Sequence, residues 1–570
     1  MKKILAILLI FIMILVSCGP QETPKKDHLI ENEDYIDLSS QYDGKSFDYN
    51  ESLWYMNNLK DVPLPDPYVY VENGTYYIVG TSDRNPDVVD CYVTTDFVNY
   101  ELHKEIYNPV LYEGWEDRKE ALVFAPEIYC FDGVYYMYYS AKDINLKRRI
   151  SVVVADNPLG PYKPLVNDEV DGLNNPLFHN ADYVKRGLDA TVFVDDDGKM
   201  YMYFTVTQKS QLIDADAQYI VGVELISPYQ ADWSTYKELL VAGVVDSESS
   251  EQLLEWELYR DNKIQINEAP FMIKSNDKYY LTYSVNGAWN KYYNVCYAVS
   301  DTPLGNFVKP YEEGKMWTNL LMGFPGTNDE EALIYNQWKG YASGTGHHCF
   351  FYAGDELMVG YHAHQNRDWN SKDYTPRFFA FDYVYFDENG VPFVNGSTYS
   401  VINLPESITG VKNIVSDATI IGDNVQNLSN VNDNYVVDFY NLDTKDNEVH
   451  LGSGQSYIEI EFDKMYEIHG ILVYNSAYYD SYVVEIEYID FGNGNIIYYP
   501  QFCEDFYVND ELQFIRPNSC FNLEILSYFN ATSVKIGFNL PNGGNINDIV
   551  ILGKEHYFKG ANDEKISFTQ

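Results

Sequence analysis

One phrase recurs five times in the first 400 residues: a turn rich in Gly, Asn or Asp, followed by a strand of alternating aromatic residues. The copies are the segments 73–79, 132–140, 197–203, 276–284 and, in degenerate form, 354–362. Their aligned positions, 77, 136, 201, 280 and 358, are 59, 65, 79 and 78 residues apart. An Asn-Gly or Asp-Gly pair between β-rich runs is the strongest local signal of a hairpin. Each copy therefore predicts a hairpin, with room for two further strands before the next.

Five hairpins at this spacing predict a four-stranded blade repeated five times, which is a five-bladed β-propeller over residues 56–400. A long β-sandwich also strings hairpins together, but its strands usually follow every 8–12 residues without a longer period. Residues 411–556 form a second β-rich region, where apolar and polar residues alternate cleanly in 457–462 and 483–488. That alternation is typical of strands with one buried face. The predicted fold class is all-β: a propeller followed by a β-sandwich.

The same register reveals polar residues in otherwise apolar strands. One lies eleven or twelve residues before the aligned position in four copies, and nine before it in the second copy. These residues are Asp66, Asp189, Glu268 and His347, with Glu127 in the second copy. If they sit on the innermost strand of each blade, five ionisable side chains converge on one axial pocket. Because buried carboxylates are unfavourable unless paired or functional, the set predicts a functional pocket.

These residues also lie in phrases that resemble glycoside hydrolase family 43. The phrases are Asp66-Pro67, Ala125-Pro126-Glu127, 188–193 with the turn 195–198, Glu268-Ala269-Pro270 and Gly346-His347. The resemblance covers about residues 60 to 395. The family is built on five-bladed propellers that cleave arabinose- and xylose-containing plant polysaccharides with inversion. The resemblance thus implies an enzyme that hydrolyses glycosidic bonds.

The resemblance also assigns roles to the three carboxylates. It implies that Asp66 is the general base, that Glu268 is the general acid, and that Asp189 orients the acid and raises its pKa. An inverting glycosidase needs one ionised and one protonated carboxyl group, roughly 6.5–9.5 Å apart. A third negative charge nearby raises the pKa of the acid and so separates the two values.

Three further residues are candidates for substrate binding. His347 matches a channel histidine that holds a water or a calcium ion beneath the sugar in relatives, so a calcium bound through water is expected to be the only metal; no cofactor is required. Arg377 resembles a family arginine near the bound sugar. Trp289 is a candidate for stacking on a sugar, although a structural aromatic fits equally well. Two departures from the family leave the identity of the sugar undecided. Phe124 replaces a usual Trp, and residues 206–262 form an unusually long insertion. The insertion contains an acidic stretch, 246–257, that can be read as a solvated helix.

The first eighteen residues predict export and a lipid anchor. Two lysines precede thirteen apolar residues, Ile4 to Val16, which is the length of a signal-peptide core rather than of a membrane span. The tetrad Leu15-Val16-Ser17-Cys18 resembles the bacterial lipobox, whose cysteine is lipidated; an ordinary signal peptide is the alternative. Residues 19–55 are polar, as expected of a flexible tether. We expect a secreted protein attached to the bacterial cell envelope through Cys18.

The charge of the chain restricts its partners. A net charge of −46 argues against nucleic acid and against an anionic membrane, which both need a basic surface. Contact with the membrane is therefore expected through the anchor alone, and the expected partner is a neutral carbohydrate. Six cysteines follow Cys18, and none has the CxxC spacing of a zinc site. We expect a monomer.

Several functions remain open from the sequence. The first choice is a hydrolase that releases arabinofuranosyl or xylosyl units from plant polysaccharides or their oligosaccharides. The alternatives are an endo-arabinanase, a surface lipoprotein that binds sugar without cleaving it, and a fructan-cleaving propeller enzyme. A binding protein has no need of a base and an acid across one pocket, which favours an enzyme. The closing segment 545–554 looks like the last strand of discoidin-type, galactose-binding-like domains, some of which bind carbohydrate while others brace a neighbouring domain.

Overall fold

The computed structural model describes most of the chain between residues 36 and 556. The described ranges are 36–37, 53–55, 57, 61–82, 85–180, 182–184, 186–246, 249–258, 264–289, 291–323, 342–364, 376–397, 401–436, 448–475, 484–492, 494–498, 505–508, 511–514 and 520–556. Within these ranges the chain is almost entirely β-structure, as predicted. No helix in them is both long and apolar enough to cross a membrane.

Five four-stranded antiparallel sheets, blades 1 to 5, follow β1 (Ile36–Asp37) and β2 (Trp54–Tyr55). Blade 1 consists of β3 (Tyr68–Glu72), β4 (Thr75–Val79), β5 (Val89–Thr94) and β6 (Glu101–Tyr107). Blade 2 consists of β7 (Phe124–Phe131), β8 (Val134–Lys142), β9 (Arg148–Ala155) and β10 (Lys163–Pro164). Blade 3 consists of β11 (Gly187–Val194), β12 (Met200–Ser210), β13 (Ala215–Ser227) and β14 (Gln230–Val241). The hairpin β15 (Val244–Asp246) and β16 (Ser249–Leu253) comes next. Blades 4 and 5 consist of β17 (Asn267–Ser275), β18 (Lys278–Val285), β19 (Asn294–Ser300), β20 (Leu320–Met322); and β21 (Ser343–Ala353), β22 (Glu356–His364), β23 (Arg377–Phe386), β24 (Pro392–Val394).

The predicted hairpins connect the first two strands of every blade. Three of them have two-residue turns with both residues in the left-handed region: Asn73-Gly74, Asp132-Gly133 and Asn276-Asp277. Such turns have the twist that antiparallel strands need, which is why Asn, Asp and Gly occupy them. The first strands contact one another in a closed cycle, β3 to β7, β11, β17, β21 and back to β3. The five-bladed propeller is therefore confirmed.

Each first strand carries a bend next to the axis of this ring. The backbone is left-handed there, with φ of +53° at Asp66, +44° at Ala125, +54° at Asp189, +52° at Ala269 and +46° at His347. In blades 2 to 5 the hydrogen-bond register shifts at the bend, as in a β-bulge. Left-handed non-glycine residues are strained and cluster at functional sites. The five bends occupy equivalent positions near the starts of the first strands, which contact one another in a cycle.

Much of the region 206–262 belongs to the long outer strands of blade 3, and β15 and β16 form a hairpin beside them. The strands β12, β13 and β14 contain 11, 13 and 12 residues. The reading of 246–257 as a solvated helix is wrong, because β16 is followed by a 3₁₀ turn at Glu255–Glu257. The Glu257 side chain is fully buried, and its Oε2 lies 2.5 Å from the ammonium group of Lys309.

Beyond blade 5 the described strands build one ten-stranded sheet. The sheet consists of β1 together with β26 (Lys412–Asn413), β27 (Thr419–Asp423), β28 (Val425–Gln426), β29 (Val449–Leu451), β30 (Gly454–Asn475), β31 (Ile486–Asp490), β32 (Asn495–Tyr498), β35 (Cys520–Leu540) and β36 (Gly544–Glu555). Outside this sheet, β25 (Ile402–Asn403) pairs with β2 and is followed by α1 (Glu406–Thr409), and β33 (Asp505–Val508) pairs with β34 (Glu511–Phe514) as a separate hairpin. The first part of β30 pairs with β27 and the last part with β36, with a register break after Glu461. Long strands that pass from one layer to the other fit the predicted β-sandwich.

The C-terminal sheet packs directly on the propeller. The hydroxyl of Tyr474 donates to the carbonyl of Val401 at 2.9 Å. Val394 of blade 5 and Leu552 of β36 belong to the same buried apolar cluster. A cavity between the two parts, lined in part by Tyr385, contains none of the predicted site residues. The apolar core is continuous from blade 5 into the C-terminal sheet.

Candidate active site

Asp66 is surrounded by cationic and hydroxyl groups at the start of blade 1. Its Oδ1 accepts a hydrogen bond from Arg377 Nη1 at 3.0 Å and lies 3.3 Å from His347 Nδ1. Its Oδ2 accepts a hydrogen bond from Thr81 Oγ1 at 2.6 Å. Burial alone would raise the pKa of Asp66, but Arg377, His347 and Thr81 together bring it below its usual value. Asp66 is therefore ionised, as a general base must be.

Glu268 has the opposite electrostatic environment. Its Oε1 accepts a hydrogen bond from the hydroxyl of Tyr293 at 3.0 Å, and its Oε2 accepts one from Gln218 Nε2 at 3.4 Å. Burial, reinforced by the negative charge of Asp66, nevertheless raises the pKa of Glu268 to about 7. The residue remains partly exposed at the pocket. Glu268 can thus carry a proton at neutral pH and still reach a substrate.

Asp189 lies on β11, within electrostatic reach of both Glu268 and Asp66. It is 7% exposed, and burial together with repulsion from Glu268 and Asp66 raises its pKa. The backbone N–H of Ala269, the residue after the acid, interacts with its carboxylate and opposes this rise. Two neighbouring carboxyl groups cannot both ionise easily, so the pair Asp189 and Glu268 retains a proton.

The imidazole of His347 lies against the carboxylate of Asp66. Besides its contact with Asp66, its backbone N–H donates to Ser284 Oγ at 2.8 Å. Burial lowers its pKa, so the imidazole is neutral. Among the described residues no group of three or more His, Cys, Asp and Glu side chains is arranged to hold a metal ion. The residues present do not form a direct calcium cage, and calcium bound through water stays a prediction.

The other two predicted binding residues differ in position. Arg377 is 8% exposed and is committed to Asp66. Trp289 is 65% exposed and lies in the loop between β18 and β19, four residues before Tyr293. Its indole ring covers Gly287, where an added Cβ would lie 2.6 Å from ring atoms. The structure therefore brings Asp66, Asp189, Glu268, His347 and Arg377 together and leaves Trp289 on the adjoining loop.

Glu127, the fifth ionisable residue of the register, has hydrogen-bond partners of its own. It follows the left-handed residue of blade 2 by two positions, which is about 7 Å further along the strand. Its Oε2 accepts a hydrogen bond from the hydroxyl of Tyr129 at 2.5 Å, and that hydroxyl lies 3.1 Å from Thr191 Oγ1. Burial raises the pKa of Glu127 to about 8. That all five side chains share one pocket therefore stays a prediction for this residue.

Five contributors to the site were not anticipated from the sequence. They are Thr81, Tyr293, Gln218, Arg148 and His362. The guanidinium of Arg148 lies 3.7 Å above the ring of Phe124 and acts electrostatically on Asp189. Phe124, which stands where the family usually has Trp, thus provides the ring on which the Arg148 guanidinium packs. His362 Nδ1 accepts a hydrogen bond from the backbone N–H of Asp66 at 3.1 Å and so joins blade 5 to blade 1.

Comparisons with known proteins point to one family. A model of the family described as "Glycosyl hydrolases family 43" matches residues 55–392, which include every residue of the site. Similar proteins include a xylosidase/arabinosidase of Bacteroides ovatus, 27% identical over 267 residues that cover 43% of this chain and 76% of the relative. Xylosidase/arabinosidase 43A of Humicola insolens is 30% identical over 253 residues, covering 40% of this chain and 73% of the relative. The crystal structure of a thermostable family-43 glycoside hydrolase is 25% identical, with a TM-score of 0.48, and covers 61% of this chain and 97% of its own.

Proposed function

The chain belongs to glycosyl hydrolases family 43 and is therefore a glycoside hydrolase, and we propose that it inverts the anomeric centre with Asp66 as base and Glu268 as acid. Asp66 removes a proton from water as the water attacks the anomeric carbon. Glu268 protonates the glycosidic oxygen as the bond to the leaving group breaks. Asp189, through its charge and its interaction with the backbone next to Glu268, orients the acid.

The observation that supports this proposal best is the opposite tuning of two carboxyl groups in one pocket. The cationic and hydroxyl partners of Asp66 lower its pKa, whereas burial and the charge of Asp66 raise the pKa of Glu268 to about 7. At a pH above the lowered pKa of Asp66 and below about 7, Asp66 is ionised while Glu268 is mostly protonated. Carboxyl groups whose environments drive their pKa values apart are typical of acid and base pairs.

For the substrate we propose arabinofuranosyl or xylosyl units of plant polysaccharides or their oligosaccharides. The support comes from the relatives, which carry the name xylosidase/arabinosidase. A net charge of −46 favours neutral polysaccharides over acidic ones, because like charges repel. An exposed aromatic ring such as Trp289 suits stacking on a sugar.

We also propose that the enzyme is a monomer held at the cell envelope by a lipid on Cys18. Cys18 lies outside the described residues, so the support is the apolar run Ile4 to Val16 and the lipobox-like tetrad that ends at this cysteine. For the C-terminal domain, the continuous core with blade 5 supports a bracing role.

A panel of aryl glycosides tests the proposed activity. Purified protein should hydrolyse 4-nitrophenyl α-L-arabinofuranoside or β-D-xyloside faster than the corresponding glucoside and galactoside. Proton NMR during the first minutes should show the inverted anomer of the released sugar. Retention of configuration would contradict the base role of Asp66, and inactivity on all aryl pentosides would contradict the substrate class. With arabinan, monosaccharide as the first product would favour the exo enzyme over the endo-arabinanase.

A further inference from the structure

The carboxyl group of Glu268 is held by two side chains that lie outside the repeated first strands. Tyr293 donates its hydroxyl to Oε1 at 3.0 Å, and Gln218 donates its Nε2 amide to Oε2 at 3.4 Å. Tyr293 belongs to the loop 286–293 between β18 and β19, and Gln218 belongs to β13 of the preceding blade. Each oxygen of the acid thus has one neutral donor.

Tyr293 is fixed from both sides. Its ring stacks on the imidazole of His362, with centroids 5.5 Å apart and 9° between the planes. At the start of its loop, the buried amide of Asn286 donates to the carbonyl of Tyr292 at 2.9 Å and to that of Trp256 at 3.1 Å. His362 also accepts the backbone N–H of Asp66. The imidazole that supports the Tyr293 ring is therefore bound to the residue proposed as the base.

Gln218 is fixed through its backbone. Its N–H donates to the carbonyl of Gln265 at 2.8 Å, and its carbonyl accepts a hydrogen bond from Ala242 at 3.4 Å. The residue is 8% exposed, and its Oε1 accepts no hydrogen bond from any described residue. The contact with Glu268 is therefore the one hydrogen bond of its side chain in the described structure.

A buried polar cluster centred on Glu257 adjoins both supports, because its members Glu257 and Gly243 directly follow Trp256, which binds Asn286, and Ala242, which binds Gln218. The Glu257 carboxylate accepts hydrogen bonds from Tyr283 of β18 and from Asn319, both at 2.8 Å, and from the N–H of Gly243 at 3.0 Å. With Lys309, it forms an ion pair in which both side chains are fully buried. Such a cluster has little freedom to rearrange, because any broken contact leaves a buried charge or dipole unpaired. Glu257 and Gly243 of the insertion 206–262 thus help to fix the surroundings of Glu268.

We propose that Tyr293 and Gln218 are positioning residues that hold Glu268 by one oxygen each and determine how readily it gives up its proton. The inference rests on the proposed role of Glu268 as general acid. Hydrogen bonds donated to a carboxylate stabilise its ionised form. The charged or titratable groups that face Glu268 are Asp66 before β3, Asp189 on β11, Arg377 on β23 and Tyr293 itself. The two carboxylates and burial favour the protonated form, and the two donors, with Arg377, oppose them.

The dependence of kcat/KM on pH tests the inference, measured with one aryl glycoside for wild type, Tyr293→Phe, Gln218→Met and the double variant. Loss of a hydrogen bond to a charged group should move the alkaline limb upward by about one pH unit in Tyr293→Phe. The longer bond of Gln218 should give about half that shift in Gln218→Met. The acid limb, which reports Asp66, should stay in place.

Tyr297→Phe is the matched control, because Tyr297 lies in the same blade and its ring packs on Tyr280 rather than at the acid. Its pH profile should match that of the wild type. An unmoved alkaline limb in both Tyr293→Phe and Gln218→Met, with activity and melting temperature retained, would overturn the inference. Full activity of Glu268→Gln would instead overturn the proposed function, so the two failures are distinguishable.

Discussion

Replacing Glu268 by Gln removes the proton that the leaving group needs while it preserves the shape of the site. The hydroxyl of Tyr293, 3.0 Å from Oε1, can still donate to the amide oxygen of the variant. Loss of general-acid help usually lowers the rate by about 10²–10⁴-fold. We expect kcat/KM for an oligosaccharide, whose leaving group is a poor one, to fall by about 10³-fold.

The structure also sets how the loss should depend on pH. With a pKa of about 7 in place of 4.5, Glu268 is protonated in roughly 90% of molecules at pH 6 rather than in about 3%. The wild type should therefore lose activity as the pH rises through about 7, because the acid loses its proton there. In Glu268→Gln this alkaline limb should disappear, since no proton remains to be lost.

The assay compares two aryl glycosides of the same sugar. A glycoside of a strongly acidic phenol barely needs protonation, so the variant should retain much of its activity on it. A glycoside of a weakly acidic phenol should show the full loss. Asp66→Asn is the control: water must be activated whatever the leaving group, so its loss should be equal for both substrates.

Equal losses for both substrates in Glu268→Gln would refute the assignment of the acid. The same holds for an alkaline limb that survives the substitution unchanged, because another group would then supply the proton. Either result would require Asp189, the neighbouring carboxyl group with a raised pKa, to be tested as the donor.

Three further substitutions test other parts of the structure. Arg377→Met removes the cation bound to Asp66, so the pKa of Asp66 should rise and the acid limb of kcat/KM should move to higher pH; an unmoved limb would contradict this. Because the pKa of Glu127 is raised to about 8 in the folded protein, stability should fall as pH rises from about 4.5 to 8, and Glu127→Gln should raise the melting temperature at pH 8 much more than at pH 5. An equal effect at both pH values would show that the side chain is not titrating. Cys18→Ser should move the protein from the membrane fraction to the soluble fraction, and unchanged partitioning would refute the lipid anchor.

The repeat of aromatic strands was sufficient to predict the propeller and part of the site. Turn residues such as Asn73-Gly74 encode the local geometry of a hairpin. Five hairpins separated by 59 to 79 residues are compatible with few other folds. Asp66, Asp189 and His347 were found because all three occupy the left-handed position of their blade. A residue in a repeated structural position keeps a constant distance from the repeated hairpin, and a sequence register can detect that.

The sequence register is less precise where the ionisable residue does not itself occupy the left-handed position. In blades 2 and 4 the left-handed residues are Ala125 and Ala269, so Glu127 lies two residues after the bend and Glu268 one residue before it. A shift of one residue turns a side chain to the other face of an ideal strand. Glu268 reaches the pocket because it sits next to the bulge. Counting residues back from the repeated hairpin cannot distinguish its position from that of Glu127, which lies two residues after the bend.

A signal for two of the missed residues was present in the sequence. The residue four places after the aligned position is polar in every copy: Thr81, Ser140, Thr205, Ser284 and His362. Three of these side chains accept the backbone N–H of the left-handed residue in the next blade. For Tyr293 and Gln218 no such signal existed, because their contacts with Glu268 depend on a loop and on an extension that belong to no repeat.

The junction of blades 3 and 4 departs from this pattern in a way that explains the third carboxylate. Thr205 occupies the acceptor position there, yet its Oγ1 has no hydrogen-bond partner among the described residues. The N–H of Ala269, which by the pattern would bind Thr205, interacts with the carboxylate of Asp189 instead. Asp189 thereby holds the backbone of the residue next to Glu268 and also acts on Glu268 by its charge. This exchange of a hydroxyl contact for a carboxylate contact joins Asp189 to the strand of Glu268 and supports the proposed role of Asp189 as the residue that orients the acid.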